Sequence, residues 1–276
     1  MIGAVRLRVA DLEGVRAYYE TAIGLRTLGR NGDVVRLGAD APLLELVGDP
    51  DAPPAPPRST GLFHFAILVP SRPELARAVR RVIDAGERFT GASDHFVSEA
   101  LYLRDPEGNG IEIYRDRPRE QWNRDNGELR MATLPLDLDS ILGEVGPGDD
   151  APNGMPAGTT MGHVHLQVAD VPTSVSFYRD VLGFDLMAEL FGTAAFFGAG
   201  GYHHHVGANV WHSRGAQPPP DGTAALREAT VVLPDAAERD QVAGRVADAG
   251  QEPEPRPDGV LVRDPSGINL LLAAPV

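Results

Sequence analysis

Short runs of alternating apolar and polar residues recur along the chain, and several of them lead into a segment with helical periodicity. The first run, Ala4–Val9, precedes a helix that Asp11 caps and that extends to about Ile23. Ser71 begins another helix as a capping box, with Pro73 in its first turn. Three further strand-like runs follow each helix. The pattern therefore predicts a βαβββ unit and a mixed α+β fold.

This unit is repeated four times. Gly3–Asp11 matches Gly162–Asp170, and Gly61–Pro70 matches Ala225–Pro234. The members of the second pair are each followed later by Arg-Asp-Pro, at 104–106 and 263–265. A fixed unit that recurs in this way indicates one supersecondary structure used several times. We number these units repeats 1 to 4 in chain order.

A long polar segment rich in proline and glycine separates repeat 2 from repeat 3. We expect residues 131–160 to be a linker. The predicted domains are then 1–130, which holds repeats 1 and 2, and 161–276, which holds repeats 3 and 4.

Composition narrows the functional classes. Of 276 residues, 42% are hydrophobic and 23% are charged, which is typical of a globular protein. The net charge of −14 argues against nucleic-acid binding. No apolar run is long enough to span a membrane, and we expect a cytoplasmic protein. Since the chain has no cysteine, any metal must be held by histidine, aspartate or glutamate.

Four βαβββ units in one chain resemble the vicinal oxygen chelate superfamily, which includes glyoxalase I, bleomycin-resistance proteins and type I extradiol dioxygenases. The resemblance implies that two units pair their sheets into a cup-shaped barrel. It also implies that a metal inside the cup is held from the first and last strands of the units.

The residues at equivalent positions of the four repeats can therefore be compared as candidate metal ligands. On the first strand they are Ala4, His64, His163 and Glu228, and on the last strand they are Glu45, Glu112, Asn209 and Leu271. Two histidines and one carboxylate form the facial triad of non-haem Fe(II) sites. We therefore predict that His64, Glu112 and His163 bind the metal. Repeats 2 and 3 would then share the metal cup, and repeats 1 and 4 would pair as a cup without metal.

A motif in repeat 2 resembles the signature of extradiol ring-cleavage dioxygenases. It reads His-x₅-Leu-Tyr-x₂-Asp-Pro-x-Gly-x₃-Glu, from His95 to Glu112. The resemblance implies that Glu112 is the iron ligand, that Tyr102 hydrogen-bonds a substrate oxygen and that His95 lies close to the substrate.

A second motif, Tyr202–Asn209, resembles the His-His pair of the same family. It implies that His205 is the catalytic acid–base and that His204 flanks it. Asn209, Trp211 and Tyr114 are candidates for substrate contact. For Trp211 and Tyr114, packing is the alternative interpretation.

Together these features are similar to a bacterial two-domain subfamily of catechol 2,3-dioxygenases. The expected reaction is extradiol cleavage of a small aromatic diol by O₂ at Fe(II), with Mn(II) or another divalent metal as alternatives. We also expect a homo-oligomer. Three other functions stay open: a glyoxalase-type isomerase or lyase with Asn209 as fourth ligand, a hydroquinone-cleaving dioxygenase, and a protein that sequesters an aromatic ligand.

Overall fold

The computed structural model of the protein describes residues 1–125, 128–146, 149 and 154–275. Residues 147–148 and 150–153 of the predicted linker lie outside the described residues. The rest of the linker includes one short helix and a strand that pairs with repeat 2.

The chain forms two compact units. The C-terminal unit comprises residues 1–8, 53–63 and 163–276, and the N-terminal unit comprises residues 9–52 and 64–162. The first strand of repeat 1 thus belongs to the same compact unit as repeat 4. The predicted domain division at 131–160 stays a prediction.

One helix follows the first strand of each repeat, and the segment after repeat 2 adds another. The helices are α1 Leu12–Tyr18, α2 Arg72–Asp84, α3 Leu138–Leu142, α4 Val171–Val175 and α5 Ala236–Asp248. The segments after α1 and α4 are π-helical, Tyr19–Ile23 and Ser176–Val181. In the part of the chain that the structure describes, no helix is long and apolar enough to cross a membrane.

The predicted N-caps Asp11 and Ser71 are confirmed, and Asp170 and Asp235 cap the equivalent helices of repeats 3 and 4. The side chains of Asp11, Ser71, Asp170 and Asp235 each accept a hydrogen bond from the backbone N–H three residues further on. These contacts satisfy donors that the first turn of a helix leaves unpaired.

The strands also follow the repeats. Repeat 1 contains β1 Ile2–Val9, β2 Arg26–Asn31, β3 Val34–Gly38 and β4 Pro42–Gly48. Repeat 2 contains β5 Gly61–Leu68, β6 Gly91–Asp94, β7 Ser98–Arg104 and β8 Gly110–Asp116. The connecting segment has a 3₁₀ turn, Arg119–Gln121, and the strands β9 Arg124–Asp125, β10 Glu128–Leu129 and β11 Leu134–Pro135. Repeat 3 contains β12 Thr160–Gln167, β13 Asp185–Leu190, β14 Ala194–Gly198 and β15 Val206–Asn209. Repeat 4 contains β16 Leu226–Val232, β17 Glu254–Arg256, β18 Gly259–Arg263 and β19 Asn269–Ala273.

Most of the described strands form two large sheets, of eight and nine strands, and β9 and β10 pair with each other in a separate sheet. In repeat 1, β1 pairs antiparallel with β16 of repeat 4, with Arg6 opposite Glu228. At the start of β5, the carbonyl of Leu62 accepts a hydrogen bond of 3.2 Å from Nε2 of Gln167 on β12. The predicted pairing of repeat 1 with repeat 4, and of repeat 2 with repeat 3, is therefore confirmed.

In repeat 2 the strand register places the chemically important residues on one face. β5 and β8 are parallel, with Ala66 opposite Glu112, and β7 and β8 are antiparallel, with Tyr102 opposite Glu112. Because side chains alternate along a strand, His64 shares the face of Ala66. The helix α2 contacts β8 and buries apolar residues.

The Asp-Pro turns of repeats 2 and 4 have a structural role. Oδ2 of Asp105 accepts a hydrogen bond of 3.0 Å from the hydroxyl of Tyr19, and Oδ2 of Asp264 accepts one of 3.0 Å from Tyr178. In each turn the other carboxylate oxygen accepts two backbone N–H groups. Each carboxylate therefore ties its turn to the helical segment of the preceding repeat.

This arrangement makes stability depend on pH. Burial raises the pKa of Asp264 to about 6, above the value of about 3.9 that is usual for an exposed aspartate. With a raised native pKa, the contribution of Asp264 to stability is fully present below about pH 4 and is lost as pH rises to about 6. We expect the Asp264→Asn variant, whose Oδ1 can still accept both N–H groups, to lack this loss. From pH 5 to pH 7, the difference in free energy of unfolding between this variant and the wild type should shift by about 1 kcal/mol in favour of the variant. Urea unfolding at pH 5, 6 and 7 measures this; parallel curves for the two proteins would contradict it.

Candidate metal centre

A histidine and a glutamate are in direct contact inside the N-terminal unit. Nε2 of His64 lies 3.0 Å from Oε2 of Glu112. The two residues are 5% and 3% exposed, respectively. A carboxylate buried beside an imidazole keeps a hydrogen-bonding partner and can still offer an oxygen to a metal ion.

His163, on β12, is buried as well, with 2% of its surface exposed. His64, Glu112 and His163 each offer one ligand atom, and these atoms lie within 4.8 Å of one another. Metal bonds to histidine nitrogen and carboxylate oxygen are about 2.0–2.2 Å long, so the ligand atoms of one ion lie within about 4 Å of each other. With small movements the three residues fit a single divalent metal ion.

Tyr102 joins this group to His95. Its ring centroid lies 5.6 Å from that of His64, and its hydroxyl lies 2.7 Å from Nε2 of His95. Burial raises the pKa of Tyr102 well above its usual value, and the charge of Glu112 and a hydrogen bond to it act in the same direction. The phenol therefore stays protonated at neutral pH.

The backbone of the connecting segment holds His95. Nδ1 of His95 lies 2.6 Å from the carbonyl oxygen of Ala132. Because a carbonyl only accepts hydrogen bonds, Nδ1 must carry a proton. Nε2 is thereby directed to Tyr102. Ala132 has no side-chain chemistry that could have revealed this role in the sequence.

The three consecutive histidines point to different neighbours. The ring centroid of His204 lies 4.1 Å from that of His163, and Nδ1 of His204 lies 2.8 Å from Nδ1 of His203. His205 instead faces Tyr202 and Phe184, at 4.8 and 6.3 Å between centroids. Its Nδ1 accepts a hydrogen bond from the N–H of Ala199. The ring of His203 is farther from His163, at 6.2 Å between centroids. The close contact with His163 favours His204 over His205 as acid–base.

The predicted equivalence of Asn209 and Glu112 is wrong by two residues. In repeat 2, the residue opposite Glu112 is Ala66, two positions after His64. In repeat 3, the residue opposite His165, two positions after His163, is Gly207. Asn209 lies opposite Gln167, about 13 Å along the strand from His163. The register therefore does not place Asn209 as a fourth ligand.

Gly207 gives room to a neighbouring ring. A Cβ atom at this position would lie 2.8 Å from Cγ of His165, which is too close for two carbon atoms. At the position where repeat 2 has Glu112, repeat 3 therefore has Gly207, and the ring of His165 packs against it.

The remaining candidates lie at different depths. Tyr114 is fully buried in a cluster with Ala66 and Ala100. Its hydroxyl fills the space beside Gly162, where a Cβ would lie 1.8 Å from the oxygen. This position favours the packing interpretation of Tyr114. Trp211 is 46% exposed. Asn209 is fully buried and accepts a hydrogen bond of 3.1 Å from the N–H of Trp211.

Comparison with known proteins identifies the family of the chain. The sequence model of the Glyoxalase/Bleomycin resistance protein/Dioxygenase superfamily matches residues 1–113 and 160–272. The chain belongs to this superfamily. Among its curated members, the chain is 45% identical to the catechol-2,3-dioxygenase of Bacillus subtilis (strain 168) over 269 residues, which is 96% of this chain and 93% of that protein.

Solved structures of this superfamily and of other proteins share the fold. Glyoxalase I from Zea mays matches with a TM-score of 0.62 and 16% identity, covering 99% of this chain and 92% of its own. The cppA protein of Streptococcus pneumoniae TIGR4 matches with a TM-score of 0.57 and 12% identity over the full length of both chains. At these identities the likeness concerns the fold alone.

Proposed function

We propose that this superfamily member is an extradiol ring-cleaving dioxygenase, which inserts O₂ into a catechol-type aromatic diol at a mononuclear Fe(II) site. The observation that carries the proposal is the donor set. Within the described residues the group has three members, His64, Glu112 and His163. Gly207 stands where a fourth ligand from repeat 3 would lie. Three ligands leave positions for a diol and for O₂. The 45% identity to a catechol-2,3-dioxygenase supports the same reaction.

The donor chemistry suits this metal, although Mn(II) or another divalent ion would also fit two imidazoles and a carboxylate. A bound metal supplies a Lewis acid that lowers the pKa of a diol hydroxyl and a redox centre for O₂. The protein's own residues supply orientation and proton transfer.

Tyr102 and His95 orient the substrate. The Nδ1 proton of His95 is held by the carbonyl of Ala132, so Nε2 faces the hydroxyl of Tyr102. Tyr102 is therefore restrained beside Glu112, and its hydroxyl oxygen can accept a hydrogen bond from a diol hydroxyl without rotating. Such restraint supplies orientation before the reaction begins.

His204 holds and moves the proton. Its Nδ1 is paired with Nδ1 of His203, which fixes the ring, so Nε2 is the nitrogen that can exchange a proton with the substrate. His203 is fully buried and acts as a positioning residue. Acid–base help of this kind typically contributes about 10²–10⁴ in rate.

The proposal is tested with protein that has been freed of metal and reloaded anaerobically with Fe(II). Catechol is added first and O₂ second. We expect O₂ uptake equal to the catechol consumed and a yellow ring-fission product. Parallel arms contain hydroquinone, or the hemithioacetal of methylglyoxal and glutathione. Turnover of the hemithioacetal without O₂, and none of any catechol, would overturn the proposal in favour of an isomerase. The homo-oligomer and the cytoplasmic location stay predictions.

A further inference from the structure

A three-residue turn between β6 and β7 carries His95. Asp94, at the end of β6, lies opposite Glu99 on β7, and residues 95–97 connect the two strands. Within this turn Phe96 has a φ angle of +67°. An L-residue avoids this left-handed region because its Cβ atom crowds a backbone oxygen, and a bulky side chain there is a genuine outlier. Such a conformation persists only where the surrounding structure enforces it, and these outliers cluster at functional sites.

Asp94 and Arg117 enforce the conformation of the turn. Oδ1 of Asp94 accepts a hydrogen bond of 2.9 Å from the N–H of Phe96, which is the local contact by which an aspartate side chain stabilises a turn. Oδ2 of Asp94 lies 2.7 Å from Nη2 of Arg117, and the N–H of Arg117 donates a hydrogen bond of 2.8 Å to the carbonyl of Val97. The guanidinium of Arg130 lies 5.5 Å from the ring centroid of Phe96, within the range of a cation–π contact.

The peptide unit between His95 and Phe96 is held at both ends. Its N–H donates to Asp94, and its carbonyl oxygen, that of His95, accepts a hydrogen bond of 3.4 Å from the N–H of Ala132. A turn with negative φ at Phe96 would rotate this peptide unit and break both bonds. The His95 ring depends on the same partner, since its Nδ1 donates to the carbonyl of Ala132 and its Nε2 faces Tyr102. The left-handed turn and the orientation of the ring therefore form one arrangement.

We propose that Asp94 is a positioning residue for the reaction. By holding Phe96 in the left-handed conformation, it fixes the tautomer of His95 and directs the ring to Tyr102. The inference rests on the proposed function, in which Tyr102 and His95 orient the diol. The strain at Phe96 has a role in this arrangement, because a relaxed turn would move His95 away from Ala132. Misplacement of an orienting group by about 1 Å can cost about 10²-fold in rate.

The tautomer of His95 is measured first, in metal-free protein, by ¹⁵N NMR of the imidazole rings, with His95→Gln to assign the signal. The contact with Ala132 requires the proton on Nδ1. We expect this tautomer in the wild type and in Asp94→Asn, whose Oδ1 can still accept the N–H of Phe96. In Asp94→Ala the ring should be released, and its signal should move toward that of a mixture of the two tautomers.

Turnover of catechol by the Fe(II)-loaded protein is measured second. In Asp94→Ala we expect kcat/KM to fall about ten-fold or more with the metal content unchanged, whereas Asp94→Asn should stay within about three-fold of the wild type. Asp235→Ala is the matched control, because Oδ1 of Asp235 accepts a backbone hydrogen bond of the same length, 2.9 Å, at the start of α5. The tautomer signal and kcat/KM of this control should keep their wild-type values.

Phe96→Gly shows whether the strain is the reason. Glycine adopts a positive φ without a steric penalty, so the turn then needs no carboxylate to enforce it. In the Phe96→Gly background, Asp94→Ala should change kcat/KM by no more than about two-fold, a coupling that a double-mutant cycle isolates. The double variant also keeps the test valid if Asp94→Ala alone fails to fold, because removal of the strain should restore folding.

The inference and the proposed function fail in different ways. An unchanged tautomer signal and an unchanged kcat/KM in Asp94→Ala would overturn the inference, as would equal losses with and without Phe96→Gly. If the tautomer responds as expected but the wild type cleaves no catechol, the role of Asp94 in positioning His95 is supported and the dioxygenase is overturned.

Discussion

The Glu112→Gln variant is expected to lose its metal while keeping its fold. The amide has the shape of the carboxylate but no charge, and it replaces the anionic ligand of the group formed with His64 and His163. Loss of a partner that only orients a ligand typically weakens metal binding about 10–100-fold, so loss of the ligand itself should exceed about 100-fold. Metal content after dialysis and calorimetric titration with Fe(II) or Mn(II) measure the effect.

Glu45→Gln is the matched control for this experiment. Glu45 is the equivalent carboxylate of repeat 1, is 7% exposed and is paired with Arg36 at 2.9 Å. Repeat 1 has Ala4 where repeat 2 has His64, so metal content should be unchanged in this variant. Retention of one tightly bound ion by Glu112→Gln, or its loss from Glu45→Gln, would refute the assignment.

The His204→Phe variant should retain the metal and lose most of its turnover. The ring of His204 lies 4.1 Å from that of His163, so it is placed to exchange a proton with a substrate held there. We expect kcat to fall by about 10²–10⁴, with metal content close to that of the wild type. Single-turnover assays with catechol measure the rate.

His205→Phe distinguishes the two histidines. Because His205 contacts Phe184, Tyr202 and the N–H of Ala199, its replacement should change kcat by no more than a few-fold. If His205→Phe were the variant that lost turnover, the assignment based on the motif would be right and the one based on contacts would be wrong.

The repeats explain why so much of the fold was predictable. Strand alternation, helix caps and Asp-Pro turns are local features, and each was present in more than one copy. Comparison of equivalent positions in the repeats also identified the candidate ligands His64, Glu112 and His163. The pairing of repeat 2 with repeat 3 followed because only that pairing unites these residues.

Local periodicity does not reach every candidate residue. The strand β15 begins at Val206, after His203, His204 and His205. Because these three residues lie outside the strand, alternation does not predict which way their side chains point. The sequence alone makes Asn209 and Glu112 equivalent, because each lies on the last strand of its repeat. Hydrogen bonding between β12 and β15 sets the actual register, which places Gly207 there.

The amino-acid sequence by itself determined the repeated unit, the caps and the membership of the metal group. These properties depend on residue type and on spacing within a strand or turn. The tertiary structure alone decided which histidine lies beside His163, that the carbonyl of Ala132 holds His95, and that Phe63, Phe196 and Trp211 meet around His165. Those contacts join residues far apart in the chain, and they depend on strand register and on backbone groups that every residue shares.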